Sequence, residues 1–365
     1  MLWPYKLLKE LNGSIMKTGY IIRGIHGAIK GSKNLLLKKV DKLKPTGLVL
    51  MATELCNSRC ITCNIWQNKK TFEPLSPEEI KKTLKDPLFK ELKVIINTGG
   101  EITTRSDIKE VLLAEYEVLP NAVLQFSTNA ILPERALDAI KTVLEKGAKV
   151  DVGISLDGIK EKHDQIRRVK GNFEKADWLI KELLKLKETY CNKLDIGIGT
   201  MLIDETIPNI EEIKIYVKGL KLNHNIQWYN ATPFYSNSGT SKENNKETIT
   251  NIVKGLPPSP LNKRWLEWLD GKPIKFSCFA MHSFCVLKSN GDIVPCLTYW
   301  DTKAGNVREN TPTEIWNSKA AKETRRVVEN CQGCLNAWGL GWSFETSFYP
   351  NLFYYIKHLN ELKKL

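Results

Sequence analysis

No apolar run in this 365-residue chain approaches the ~20 residues that a membrane-spanning helix needs. The first thirty residues place Lys6, Lys9, Lys17 and Arg23 among apolar residues, with no compact apolar block before a small-residue cleavage site. No secretory signal is therefore expected. Long-period repeats and low-complexity tracts are missing too, which excludes solenoids and biased linkers. Nine cysteines are too few for a disulfide scaffold at this length, and nine is odd. Without an export signal the expected compartment is the reducing cytoplasm, where clustered cysteines more often mean metal or catalysis than cross-links. An apolar content of 42 % excludes wholesale disorder and is enough to fill a core, with room for two domains.

The charge is lopsided. Lys and Arg number 54 against 41 Asp and Glu, a net +13. Residues 1–44 alone hold ten basic residues and two acids, or +8 of that total. Leu2, Trp3, Leu7, Leu8 and Leu11 interleave there as on a basic amphipathic helix. Such a segment suits peripheral contact with an anionic membrane or a phosphate-bearing substrate, and equally a solvated helix on the body of the protein. The C-terminus repeats the theme, with Leu352, Ile356, Leu359 and Leu362 at helical spacing beside lysines. Nothing resembles an arginine-rich RNA arm, so a nucleic-acid partner ranks low.

After Pro45 short apolar runs alternate with amphipathic helices. The runs are Gly47–Thr53, Lys93–Asn97, Ala122–Ser127, Lys149–Ser155, Leu194–Met201 and Asn225–Asn230. Between them stand helix signals: the Ser76-Pro77-Glu78-Glu79 capping box, and Pro133 opening a helix that Gly147 closes. Six strand–helix units in a row predict a parallel sheet, either a partial (β/α)6 TIM-like barrel or an open doubly wound sheet. In both, chemistry gathers at the C-terminal ends of the strands. The alternation stops beyond residue 231, at a polar stretch and then Pro257-Pro258-Ser259-Pro260. A hairpin is expected over Cys285–Lys288 and Ile293–Leu297, turning at Ser289-Asn290-Gly291-Asp292.

Cys56-Asn-Ser-Arg-Cys60-Ile-Thr-Cys63 follows directly on the first run. Three thiolates in one loop can hold three irons of a [4Fe–4S] cube, leaving the fourth open to a small chelating molecule. Zinc is the alternative, but a structural zinc wants four ligands and no histidine accompanies the triplet. Here the chain resembles the radical S-adenosylmethionine (radical SAM) superfamily, whose signature is C-x3-C-x2-C after the first barrel strand. The resemblance implies that the open iron chelates AdoMet. One electron then cleaves the sulfonium, and the resulting 5′-deoxyadenosyl radical abstracts hydrogen from substrate. An external low-potential electron donor is implied as well.

The same resemblance runs across residues 47–230. Thr98-Gly99-Gly100-Glu101 matches the family's GGE motif, implying that Gly99, Gly100 and Glu101 hold the AdoMet amino group. Asn129 after the third strand, with Ser155 and Asp157 after the fourth, match ribose- and carboxylate-contacting positions, although Asn and Asp-Gly also favour turns. In His163-Asp164-Gln-Ile-Arg167-Arg168, Arg167 matches the arginine that pairs with the AdoMet carboxylate. The family often has an aromatic residue before the third cysteine. Thr62 stands there in this chain, and Trp66 is assigned the adenine contact in its place.

Cys278, Cys296, Cys331 and Cys334 form a second set that fully ligates one [4Fe–4S] cluster or one zinc. The stretch from Cys278 through Gly291 to Cys296 resembles the SPASM/twitch auxiliary-cluster module, in its shorter one-cluster form, which implies iron–sulfur. Cys191 and Cys285 read as structural thiols. The expected organisation is therefore a basic extension (residues 1–45), a radical SAM partial barrel (46–235), a linker (236–270), a small twitch-like Fe–S module (271–345) and an amphipathic C-terminal helix (346–365). The expected activity is radical AdoMet chemistry of oxidoreductase type on a small-molecule, peptide or lipid-linked substrate. RNA modification and a non-enzymatic zinc module rank below it, and no catalytic acid or base is assigned.

Overall fold

The computed structural model describes residues 42–68, 72–229, 231–237, 246–255, 260–272 and 278–331. The basic segment up to residue 41, Cys334 and the C-terminal helix expected over 346–365 lie outside the described residues. The chain divides into two compact units. One holds the described residues within 44–243 and 284–325, and the other holds those up to residue 43, within 244–283 and from 326 onwards.

The first unit is an open, mostly parallel nine-stranded sheet. Its strands are β1 (Gly47–Thr53), β2 (Val94–Gly99), β3 (Val123–Thr128), β4 (Lys149–Ser155), β5 (Leu194–Leu202), β6 (Asn223–Trp228), β7 (Phe284–Leu287), β8 (Asp292–Val294) and β9 (Gly305–Asn306). Their spatial order is β6-β5-β4-β3-β2-β1-β7-β8-β9, with β1 to β6 and the β1–β7 pair parallel. The six strand–helix units of a partial barrel are thus present. β1 and β4 have the bounds expected from sequence. β6 starts and ends two residues earlier than expected, since its pairing with β5 runs from Asn223 to Trp228, and His224 Nε2 shares a 2.8 Å hydrogen bond with Thr200 Oγ1 there.

The helices that cover the strands are α1 (Pro77–Leu84), α2 (Ile108–Val118), α3 (Pro133–Lys146), α4 (Glu161–Arg167), α5 (Asn172–Thr189) and α6 (Ile210–Gly219). The capping box forms at α1, where Ser76 Oγ accepts from Glu79 N at 3.2 Å and Glu79 Oε2 from Ser76 N at 2.8 Å. Gly147 ends α3 in the left-handed region, φ 106°. The apolar faces of these helices close on strands such as β1, buried at every residue. Truncating a core side chain such as the fully buried Phe126 to alanine costs about 3–5 kcal/mol.

The hairpin β7–β8 forms near its expected place but extends the barrel sheet, since β7 pairs with β1 from Gly47–Phe284 to Leu50–Leu287. Phe284-Cys285-Val286-Leu287 is buried throughout, as befits an interior strand flanked by β1 and β8. Cys285 lies in this core, whereas Cys191 is exposed after α5. Helix α9 (Pro312–Asn317) repeats the capping box with Thr311 and Glu314. In the second unit are α7 (Lys246–Lys254) and α8 (Pro260–Leu269), and α10 (Lys319–Glu329) runs from the first unit into the second.

Candidate active site

The cysteine loop starts where β1 ends, and three elements hold it. Beyond β2 the backbone keeps pairing: Gly100 N donates to Thr53 O at 2.9 Å and Glu101 N to Leu55 O at 2.8 Å. A Cβ on Gly100 would lie 2.0 Å from Leu55 O, and one on Gly99 2.2 Å from Thr53 O. The two glycines are thus required by the approach of the cysteine loop itself. The C-terminal end of α4 contributes the second anchor, with Ile61 N donating to Ile166 O at 3.0 Å and Ser58 Oγ to Arg167 O at 3.0 Å. The third is the segment after β6, where Asn64 N donates to Tyr235 O at 2.9 Å and Asn237 Nδ2 to Thr62 O at 3.1 Å.

Each of the three sulfurs accepts a hydrogen bond. Ser58 N–H points to Cys56 Sγ at 3.4 Å, Ile65 N–H to Cys63 Sγ at 3.5 Å and Arg167 Nη1 to Cys60 Sγ at 3.6 Å. Donors aimed at sulfur suit thiolates. Burial, aided by the neighbouring thiols, pushes the Cys56 thiol up to about 12 and the Cys63 thiol up to about 11. Three thiolates there need the positive charge of bound metal. This donor set fits an iron–sulfur cube, which takes three cysteines and leaves one iron for another ligand.

Around the loop, residues from four strand ends form one buried network. Glu101 is 2 % exposed. Its Oε1 accepts from Thr103 N (3.2 Å), Thr103 Oγ1 (2.6 Å) and Thr128 Oγ1 (2.8 Å), and its Oε2 from Asn129 N (2.7 Å). Burial raises its carboxyl above the ordinary range while these four donors oppose the shift. With two lone pairs per oxygen, Oε2 keeps one acceptor position. Asn129 Nδ2 reaches Asn57 Oδ1 at 2.9 Å and Cys56 Sγ at 3.9 Å. Asp157 is 1 % exposed; its Oδ1 accepts from Met201 N at 2.8 Å and its Oδ2 lies 2.7 Å from Arg167 Nε. Burial works against the Arg167 charge, but Asp157 and Cys60 outweigh it and hold the guanidinium more firmly protonated than usual.

Cys56, Asn129 and Glu101 are therefore joined by direct contacts, as are Cys60, Arg167 and Asp157, and Ser58 links the two sets through both sulfurs. Ser155 closes the β4–β5 ladder opposite Gly199, and no side-chain hydrogen bond draws it into this network among the described residues. Trp66 stands in a short 3-10 turn (Ile65–Gln67) with the Arg59 guanidinium 5.8 Å from its ring centroid. Its Nε1 is buried without a partner among the described residues, a donor left for a ligand. Next to this turn lies a cavity of 340 Å³ whose lining includes Glu54, Ile65, Pro233, Phe234 and Trp300. Phe234 and Trp300 meet there with ring centroids 5.0 Å apart.

Sequence reasoning passed over Asn57, Ser58, His163 and Asn172, all of which touch the network. His163 stands in the segment singled out for Arg167, and a buried His six residues after Asp157 was the available signal. In the second cysteine set, Cys278 and Cys331 belong to one unit and Cys296 to the other. Cys296 Sγ accepts from Tyr299 N at 3.5 Å, again a donor suited to a thiolate. Among the described residues no helix is long and apolar enough to cross a membrane.

Residues 50–217 match the model of the radical SAM superfamily, and residues 278–335 match that of an iron–sulfur cluster-binding domain, SPASM. The chain belongs to the radical SAM superfamily and carries a SPASM module. Its cofactors are accordingly an AdoMet-binding [4Fe–4S] cluster, an auxiliary cluster and AdoMet. It is 36 % identical over 184 residues to Fe-coproporphyrin III synthase of Methanosarcina barkeri, covering 48 % of this chain and 45 % of that protein. It is 25 % identical to a cysteine-type anaerobic sulfatase-maturating enzyme of Clostridium novyi, over 75 % of this chain and 80 % of that protein. The fold is shared with SuiB of Streptococcus suis, solved with its precursor peptide SuiA (TM-score 0.59, 18 % identity, 81 % of this chain and 70 % of that one). The chain thus spans less than half the length of the Methanosarcina relative.

Proposed function

We propose that this protein is a radical AdoMet enzyme of oxidoreductase type that modifies a peptide substrate. The observation that carries the radical reading is the cysteine triplet, its three sulfurs each met by a donor, tied to the Glu101–Asn129–Asp157–Arg167 network at the strand ends. When bound, the clusters and AdoMet supply reductive cleavage of the sulfonium, a 5′-deoxyadenosyl radical that takes hydrogen from a substrate C–H, and a second redox centre.

The chain's own residues bind and orient. Cys56, Cys60 and Cys63 hold three irons. Glu101 Oε2 accepts from the AdoMet ammonium through its remaining lone pair, and Arg167 faces the carboxylate while Asp157 fixes its angle. Asn129 and Ser155 contact the ribose, Gly99 and Gly100 let the loop close over the site, and Trp66 stacks on adenine. Cys278, Cys296, Cys331 and Cys334 hold the auxiliary cluster. The cavity beside Phe234 and Trp300 receives part of the substrate. A peptide is favoured because the relative matched over most of both chains is named for sulfatase maturation.

The test is anaerobic reconstitution of the full chain with iron and sulfide, then reduction with AdoMet. About eight irons per chain and release of 5′-deoxyadenosine are expected. Replacing Cys331 and Cys334 by alanine should remove about half of the iron and leave AdoMet cleavage detectable. Full iron in that variant sinks the auxiliary assignment, and a colourless, zinc-loaded wild type sinks the radical one. The identity to Fe-coproporphyrin III synthase favours a second reading, a porphyrin substrate. Assaying candidate peptides beside iron porphyrins, with a mass change as readout, separates the two.

A further inference from the structure

We propose that His163 and Asn172, neither of which the radical chemistry employs, are positioning residues that set AdoMet affinity. This rests on the AdoMet reading above. Both side chains are fully buried. Asp157 N–H donates to His163 Nδ1 at 3.1 Å, His163 Nε2 meets Asn172 Oδ1 at 3.0 Å, and Asn172 Nδ2 donates to Asn129 O at 2.9 Å. The polarity of this relay is forced from one end. A backbone amide only donates, so Nδ1 is the acceptor and the imidazole proton sits on Nε2. Nε2–H then requires the oxygen of Asn172, which turns the Asn172 NH₂ toward the Asn129 carbonyl. Burial first, then Arg167, pushes the imidazole down to about 4, against the pull of Asp157 and Asp164.

The relay joins the backbones of the two loops whose side chains face the cysteine loop. From Asn129 it continues into Glu101 Oε2 and Asn57, and from Asp157 into Arg167 and Cys60. Local structure is built around it. Gly158 lets α4 start against the Asp157 turn, since a Cβ there would lie 2.6 Å from His163 N. Asp164 accepts from Gly171 N and from Phe173 N (2.9 Å), which brings the first turn of α5, and with it Asn172, to the histidine. Ala130, Lys160 and Arg168, next to relay or loop residues, are held at φ 58°, 49° and 52°. Non-glycine residues keep such backbone only where the surroundings over-determine it.

The experiment uses the reconstituted full chain, with AdoMet itself as probe and its dissociation constant and cluster EPR change as readouts. Asn172→Leu keeps the volume and removes both bonds. It should retain wild-type iron and bind AdoMet about tenfold more weakly. His163→Leu should weaken binding likewise, and His163→Gln, which keeps one acceptor and one donor, should recover most of the loss seen in His163→Leu. Asn172→Asp keeps the oxygen facing His163, and its introduced carboxyl donates to Asn129 O only while protonated. Its AdoMet affinity should fall as pH rises, over a range where the wild type is flat. Wild-type AdoMet affinity in Asn172→Leu, whatever its melting temperature, overturns the proposal. If that variant fails to fold, a flat pH profile for Asn172→Asp overturns it. Failure of the wild type to bind AdoMet would instead bring down the underlying reading.

Discussion

Two glutamates among the described residues are fully buried, one at the mouth of the barrel and one between a strand and its covering helix. Glu101 meets four donors from two chain segments, Thr103 and Thr128–Asn129. Glu115, on α2, meets one: Asn97 Nδ2 of β2, 2.8 Å from its Oε2. Burial raises both carboxyls, and for Glu115, with Asn97 alone opposing, it reaches about 8. Asn97 Oδ1 and Glu115 Oε1 are left as buried acceptors without partners among the described residues. A proton on Glu115 Oε1 donating to Asn97 Oδ1 satisfies both at once, as an acid–amide ring. The mouth sets four donors against the upward shift of its carboxyl, whereas the strand–helix interface tolerates a carboxyl by keeping it neutral.

The comparison breaks first along pH. An unfolded glutamate titrates near ~4.3 and the folded Glu115 near 8, so the folded state binds the extra proton between those values. Its contribution to stability is full below the lower pKa and is lost as pH rises through the upper one. Glu115→Gln pairs amide to amide with Asn97 and removes the titration. Chemical denaturation of both proteins at pH 5 and pH 9 should show the variant gaining on the order of a few kcal/mol relative to wild type over that interval. A constant difference would mean that Glu115 ionises at its ordinary pKa.

The same substitution at the mouth should act in the opposite direction. In Glu101→Gln an amide NH₂ has to face either Asn129 N–H or the Thr103 and Thr128 donors. The stranded donors cost about 2–3 kcal/mol and AdoMet binding weakens with them. A variant as stable as wild type, with unchanged AdoMet affinity, would remove the distinction between the two sites. Thr128→Val takes away one donor to Oε1 and the acceptor of Ala130 N–H, and should cost about 1–2 kcal/mol by the same measurement.

These differences were only partly legible in sequence. Strand runs, the Ser76 capping box and the cysteine spacing are local patterns, and the parallel sheet followed from the alternation of strand runs and helix signals. The place of β7 against β1 was not readable, because Phe284-Cys285-Val286-Leu287 looks the same in a separate hairpin as in a barrel sheet. Glu101 was read as a ligand-facing carboxylate, yet its donors Thr128 and Asn129 come from the next strand end, which no spacing within its own motif announces. Glu115 shares the buried face of α2 with Val111 and Leu112, and that polar break in an apolar stripe was its one visible sign.

The smallest expected effect sharpens the contrast most. Leucine at Glu115 alone leaves both polar atoms of Asn97 buried without a partner, and leucine at Asn97 alone does the same to the carboxyl. Each single variant should lose about 1–3 kcal/mol at pH 6. In the double variant Asn97→Leu with Glu115→Leu no polar atom of the pair remains, and two apolar side chains of similar size meet across the β2–α2 interface. Stability should return to within about 1 kcal/mol of wild type, so the cycle gives a large coupling energy from a pair of nearly zero net worth. AdoMet affinity should be unmoved throughout, because the pair lies on the helix side of β2. A double variant that stays as unstable as either single one would show instead that the buried acid–amide ring stabilises the fold outright, and additive losses would mean that the two side chains are not coupled.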